Sequence, residues 1–137
     1  CNATDKHCVF KELISGLMVT EFSAANYTWA NALDYCHTLG ESGHPVVALR
    51  SPIPVIGASY TDWRLPTQKE LMHLYQGGVR GLNQTSNLTT YFGTVNAGFW
   101  ASSTESGDAT YAWYVSMNAG YQGTGLKTVA QKVICVR

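Results

Sequence analysis

Between positions 28 and 39 apolar groups return at Trp29, Ala32, Leu33, Cys36 and Leu39. That i, i+3, i+4, i+7 spacing predicts an amphipathic helix, with Thr28 placed to cap its start and Gly40 to end it. Cys36 then points into the core. A second helix is predicted behind Pro66. Thr67, Gln68, Lys69 and Glu70 form a T-x-x-E capping box: the Thr67 hydroxyl accepts from the Glu70 backbone N–H, and the Glu70 carboxylate accepts from that of Thr67. Leu71, Leu74 and Tyr75 make its apolar stripe, and Gly77-Gly78 ends it. The dense polar run WRLPTQKEL at 63–71 is therefore read as construction rather than catalysis. Trp63 and Leu65 alternate with Arg64 as the end of a strand does. Arg64, whose only evident acid partner is Asp62, is expected to hold loop carbonyls.

The other segments alternate instead. VFKELISGLMVTEF at 9–22 predicts a strand, a turn at Gly16 and a second strand. FWASSTE at 99–105 predicts a strand running into a turn. TYAWYVSM at 110–117 places Tyr111, Trp113, Val115 and Met117 on one face and Ala112, Tyr114 and Ser116 on the other. NAGYQGTG at 118–125 predicts a glycine-rich turn. VICV at 133–136, apolar on both faces, predicts a central strand. Residues 40–62, with three glycines and three prolines, predict a long loop holding one short strand near Val46 to Leu49. Residues 79–98, rich in Asn, Thr and Gly, predict another, and such loops often bind ligands. Strands, two helices with long loops and a C-terminal antiparallel sheet make one α+β domain over residues 1–137.

Charge narrows the partners. Nine basic and nine acidic residues cancel, so a nucleic-acid binder is not expected. No apolar run approaches the roughly 20 residues that span a bilayer, and no leader peptide is readable within the chain. Cys1, Cys8, Cys36 and Cys135 lack the C-x-x-C spacing of zinc and redox sites, and they allow three pairings. The favoured set is Cys1 with Cys8 and Cys36 with Cys135, against a reduced set in a cytosolic core. Disulfides imply an oxidising compartment.

SGLMV at 15–19, WANALDYCHTL at 29–39, WRLPTQKEL at 63–71, FWASSTE at 99–105, YAWYVSM at 111–117 and VICVR at 133–137 occur together in this order. The combination resembles the C-terminal domain family of the Legionella collagen-like protein (Lcl), over nearly the whole chain. Val19 stands where that family tends to have tryptophan, and Ile134 where arginine is common. The resemblance implies a C-type-lectin-like fold, which agrees with Cys36 paired to Cys135. It also implies a secreted domain on the bacterial cell surface, a homotrimer capping a collagen-like stalk, and binding of sulfated glycosaminoglycans of the host extracellular matrix in adhesion and biofilm formation. The chain contains no Gly-X-Y run, so any stalk lies outside it.

Candidate chemistry is sparse. His7, His37, His44 and His73 and the serines fall in no nucleophile motif, so no catalytic residue is assigned and an enzyme is not expected. No cofactor or metal site is assigned. Glu105 and Asp108 flank a turn and leave weak divalent-cation binding open, but solvated turn carboxylates are the favoured reading. GYQGTG at 120–125 follows a strand but opens no helix, so it fails as a phosphate loop. Tyr121 within it offers a ring for stacking on a sugar. The N-x-T sequences at Asn2, Asn26, Asn83 and Asn87 matter only in a eukaryotic secretory route. The main candidates are basic. Lys69, His73 and Gln76 fall opposite the apolar stripe of the second helix and Arg80 follows it, while Lys127, Lys132 and Arg137 stand near the C-terminus. Sulfate esters carry fixed negative charge and take charge-assisted hydrogen bonds from such groups, and a trimer would multiply weak sites by avidity. The competing readings are a solvated helix face, a protein-binding or display module using the long loops, and a trimerisation cap without glycan binding.

Overall fold

A computed structural model describes residues 9–11, 15–20, 22–39, 61–77 and 97–137. The predicted N-terminal strand pair is present: β1 (Val9–Lys11) runs antiparallel to β2 (Met18–Thr20), with Val9 opposite Thr20 and Lys11 opposite Met18. Helix α1 (Trp29–Thr38) follows, then α2 (Gln68–Gln76). Strands β3 (Gly98–Thr104), β4 (Tyr111–Ser116) and β5 (Gln122–Leu126) form one antiparallel sheet in the order β3-β4-β5. Two helices and a C-terminal antiparallel sheet make the α+β architecture that the sequence predicts. The Cys1–Cys8 pairing, Arg80, the short strand near Val46 to Leu49 and most of both long loops lie outside the described residues.

Alternation along the strands divides the core in two. Phe99, Ala101, Val115 and Met117 pack with Leu71 and Leu74 of α2. Trp100 and Ala112 pack with Ala32 and Cys36 of α1, together with Trp63 and Leu65. The C-terminal run contributes to both sides, Ile134 and Val136 to the first and Val133 and Cys135 to the second. All four are fully buried, which is why the run is apolar at every position. Val19 and Ile134, which the family resemblance marks as unusual, are both buried in the first cluster.

The tail is central but is not the regular strand that VICV predicts. It lies between β2 and Arg64. Met18 and Arg137 exchange backbone hydrogen bonds at 3.1 and 3.0 Å, and Arg64 and Val136 exchange two at 2.9 Å. Between these points the Thr20 and Ser23 N–H groups still donate to the Cys135 and Val133 carbonyls, each at 2.9 Å, but side chains supply the return bonds. The Thr20 hydroxyl accepts from the Cys135 N–H, and the Ser23 hydroxyl from the Val133 N–H, each at 2.9 Å. Both hydroxyls are buried, so each satisfies a backbone donor that would otherwise be orphaned inside the core. The Cys36–Cys135 disulfide then ties α1 to this tail, as favoured from the sequence.

The glycine-rich segment 118–125 corrects a second expectation. Its second half is not turn but β5, paired along β4 from Val115 opposite Gln122 to Tyr111 opposite Leu126. Glycine at 123 and 125 is a packing requirement here. A Cβ on Gly123 would lie 3.0 Å from the Tyr114 hydroxyl, and one on Gly125 3.3 Å from the Trp100 ring. The aromatic rings therefore rest on bare backbone.

Helix starts differ in how they are held. Thr28 occupies the N-cap of α1 with extended backbone, but its hydroxyl makes no capping bond. The capping box of α2 is complete: Glu70 N–H donates to the Thr67 hydroxyl at 3.2 Å, and Thr67 N–H donates to Glu70 Oε2 at 2.7 Å. Glu70 also receives both Arg64 Nη groups, at 2.8 and 2.7 Å. The partner of Arg64 is thus Glu70 and not Asp62. Asp62 pairs instead with Arg137, whose Nε lies 2.7 Å from Oδ1.

The fork gives a pH prediction. Arg64, then the Thr67 N–H, hold the Glu70 carboxyl at about 2, against an ordinary value of 4.5. A depressed carboxyl contributes stability that is complete above its unfolded pKa and is lost as pH falls through the folded value. Glu70→Gln is therefore expected to lower stability by about 1–2 kcal/mol near pH 7, for the cap and a half-exposed ion pair together. The deficit should shrink as pH falls from about 4.5 towards 2. Denaturant midpoints of both proteins across that range check it; a deficit that is constant with pH would contradict it.

Candidate functional site

Helix α2 presents the predicted polar stripe. Leu71 and Leu74 are buried, Lys69 and Gln76 are exposed, and His73 is half-buried. Glu70 follows Lys69 in sequence but turns about the helix toward Arg64, so its charge is satisfied by the guanidinium. The Lys69 ammonium therefore projects from the solvent face of the helix, away from the one carboxylate that α2 carries.

The other predicted cations are tied down. Lys132 Nζ donates to the Ser23 and Ala24 carbonyls at 3.0 and 2.6 Å, clasping the segment that enters α1. Arg137 is held by Asp62, with Nη2 to Oδ2 at 3.1 Å beside the Nε contact. Its guanidinium lowers the Asp62 pKa through their hydrogen bond. Lys127 Nζ sits 4.1 Å from the centre of the Trp29 ring and donates to the Thr104 hydroxyl at 3.0 Å. Trp29 in turn donates its indole N–H to the Ala101 carbonyl at 2.8 Å, which fixes the ring under the ammonium. The described candidates thus fall in separate places: Lys69 and His73 on α2, Lys127 beside α1, Lys132 against Ser23 and Ala24, and Arg137 beside β2.

Tyr121 is the candidate that the structure brings toward α2. It is 55% exposed, at the turn leading into β5. That turn is fastened to the helix twice. Gln68 Nε2 donates to Gln122 Oε1 at 2.8 Å, and the Tyr75 ring lies against Gly120. Gly120 has φ +72°, a left-handed conformation that only glycine adopts without penalty. Ser116 N–H donates to the Tyr121 carbonyl, and Gly120 N–H to the Ser116 carbonyl, each at 2.8 Å. Tyr114 stands edge-on to Tyr121 with centroids 6.2 Å apart, and edge-on to the buried Trp100 at 6.4 Å. Burial, followed by a side-chain hydrogen bond with Tyr121, pushes the Tyr114 phenol above its ordinary range. Sequence reasoning picked out Tyr121 but not Tyr114, Gln68 or Gln122.

Of the two acidic candidates for a cation, Asp108 has structural work. Asp108 Oδ1 accepts from the Thr110 hydroxyl at 2.7 Å and the Thr110 N–H at 2.8 Å, closing the β3–β4 turn. The hydroxyl bond, then the backbone bond, lower its pKa. Among the described residues no group of three or more His, Cys, Asp or Glu side chains is arranged to hold a metal ion. No helix among them is long and apolar enough to cross a membrane.

Comparison with curated proteins finds no match. Comparison with protein families finds that residues 6–137 match the Lcl C-terminal domain. The match spans both helices, the three-stranded sheet and the disulfide-bonded tail, and so the chain belongs to the Lcl C-terminal domain family.

Proposed function

We propose that the chain is a C-type-lectin-like adhesion domain of a collagen-like protein at the bacterial surface. In this reading it is a binding module rather than an enzyme, and it binds sulfated or otherwise anionic glycans such as the glycosaminoglycans of a host matrix. The observation that carries the reading, beside family membership, is the outer face of α2. Lys69 is exposed there, while the neighbouring carboxylate is neutralised by Arg64. A sulfate approaching that face meets an ammonium with no acid on the same helix to compete for it. The disulfide fits export to an oxidising compartment. Because Lys127, Lys132 and Arg137 are engaged within the subunit, Lys69 is the principal contribution of one copy. A trimer would place three such faces on one polyanion and raise weak affinity by avidity of order 10²–10⁴.

Retention on immobilised heparin tests this. Wild type is expected to elute at moderate salt, and Lys69→Glu at lower salt with an unchanged circular dichroism spectrum. Equal elution of the two would remove Lys69 from the site. Light scattering on the same samples reports whether three copies assemble.

The exposed apolar side chains Leu126 and Val129 favour one second reading, a contact with another protein surface. That contact would persist at high ionic strength, where polyanion binding collapses.

A further inference from the structure

An exposed tyrosine is commonplace, but Tyr121 is built in. Its backbone is fixed by the Ser116 bond and by the left-handed Gly120, and the turn is pinned to α2 by Tyr75 and by the Gln68–Gln122 amide bond. Its ring is braced edge-on by Tyr114, which rests on the Gly123 backbone and is itself braced by Trp100. The three rings therefore step outward from the core to solvent, from fully buried Trp100 through half-buried Tyr114 to exposed Tyr121. A tyrosine ring offers a large contact area with only two side-chain torsions to fix, so it binds at low entropic cost. Tyr114 and Tyr121 each carry a phenol hydroxyl, which can exchange hydrogen bonds with the hydroxyl groups of a ligand. A surface with an apolar ring face, hydroxyl partners at its edge and no charge of its own matches the apolar C–H face and equatorial hydroxyls of a pyranose.

We propose that the Tyr121 ring, braced by Tyr114 and the Gly120 turn, is a stacking subsite for a pyranose unit of a glycan. This deepens the anionic-glycan reading and rests on it for the ligand class, but it uses a different interaction. Ionic contacts at Lys69 weaken with salt, whereas stacking does not. Glycan affinity should therefore have a salt-resistant remainder that belongs to Tyr121.

Calorimetric titration with a heparin hexasaccharide and with its chemically desulfated counterpart, at low and high ionic strength, separates the two. Tyr121→Ala is expected to weaken binding of both by about tenfold, and the loss should persist at high salt. Tyr121→Phe should keep most of the affinity, because it keeps the ring. Lys69→Glu should weaken the sulfated ligand most and the desulfated one, which keeps its uronate carboxylates, less, and both losses should fade at high salt. Unchanged affinity of Tyr121→Ala for both ligands overturns the stacking subsite while leaving the ionic reading intact. Loss in Tyr121→Ala with no loss in Lys69→Glu supports the subsite and removes Lys69. Equal losses in Tyr121→Phe and Tyr121→Ala overturn it, since the ring would then contribute nothing. Tyr121 is exposed, so all three variants are expected to fold, and amide chemical-shift spectra verify that.

Discussion

Replacing both Cys36 and Cys135 with alanine is expected to cost more stability than any other change to the covalent frame described here. The bridge joins residues 99 apart in sequence. Chain-entropy reasoning gives a loop of that length about 4–5 kcal/mol, and removal of native disulfides from small secreted domains typically costs 2–5 kcal/mol. Small domains have only about 5–15 kcal/mol in total. A fall in melting temperature of roughly 10–20 °C is the expected result, since 1 kcal/mol moves a domain of this size by about 3–5 °C. The bridge also aligns the fold. It fixes α1 to a tail that β2 and Arg64 hold from either side, so losing it loosens the element separating the two core clusters. Both cysteines are fully buried. A reductant should therefore act slowly on the folded protein and quickly during thermal unfolding. Melting curves of the wild type with and without reductant, beside the double variant, check this. If reduced wild type and the double variant melt with the oxidised protein, the bridge has no part in stability.

Much of this architecture is written in local patterns. The capping box, the apolar stripes of both helices and the two faces of β4 depend on side chains three or four residues apart, or alternate along a strand, so they can be read from sequence spacing. The buried pairing of Cys36 with Cys135 was reachable because the helix pattern places Cys36 inward and VICV is apolar throughout. What was not legible depends on partners far along the chain. Arg64 finds Glu70, on the helix that follows, rather than Asp62, two residues before it. Lys127, Lys132 and Arg137 look free in sequence, yet a tryptophan ring, two carbonyls and an aspartate hold them. The glycines of β5 were taken for a turn because glycine is usually a chain-reversal residue, and nothing local announces that Tyr114 and Trp100 lie across them. VICV failed as a regular strand for a related reason. The hydroxyls that cap its N–H groups come from Thr20 and Ser23, more than a hundred residues earlier.

Gly120→Ala is expected to be the most damaging single exposed-turn substitution, and Gly16→Ala provides its control. Both glycines have positive φ, +76° at Gly16 and +72° at Gly120, so alanine at either carries the left-handed backbone cost of about 1–2 kcal/mol. They differ in surroundings. A Cβ on Gly16 meets nothing within 4 Å, whereas one on Gly120 would lie 2.4 Å from the Tyr75 ring. Carbon atoms cannot approach so closely, so the ring or the turn must move, and Tyr75 is packed on the α2 side of the core. The total for Gly120→Ala should reach about 2–4 kcal/mol. Combining it with Tyr75→Ala should recover part of the loss, because the clash is then gone and only the backbone cost remains. The same shift would carry Tyr121 away from Tyr114, so residual folded Gly120→Ala protein should show the glycan-binding defect of Tyr121→Ala. Denaturant unfolding of wild type, Gly120→Ala, Tyr75→Ala and the double variant gives the coupling directly, with Gly16→Ala measured beside them. Equal destabilisation at Gly16 and Gly120, with no coupling to Tyr75, would mean that the ring does not brace the turn, and the rigid presentation of Tyr121 would lose its physical basis.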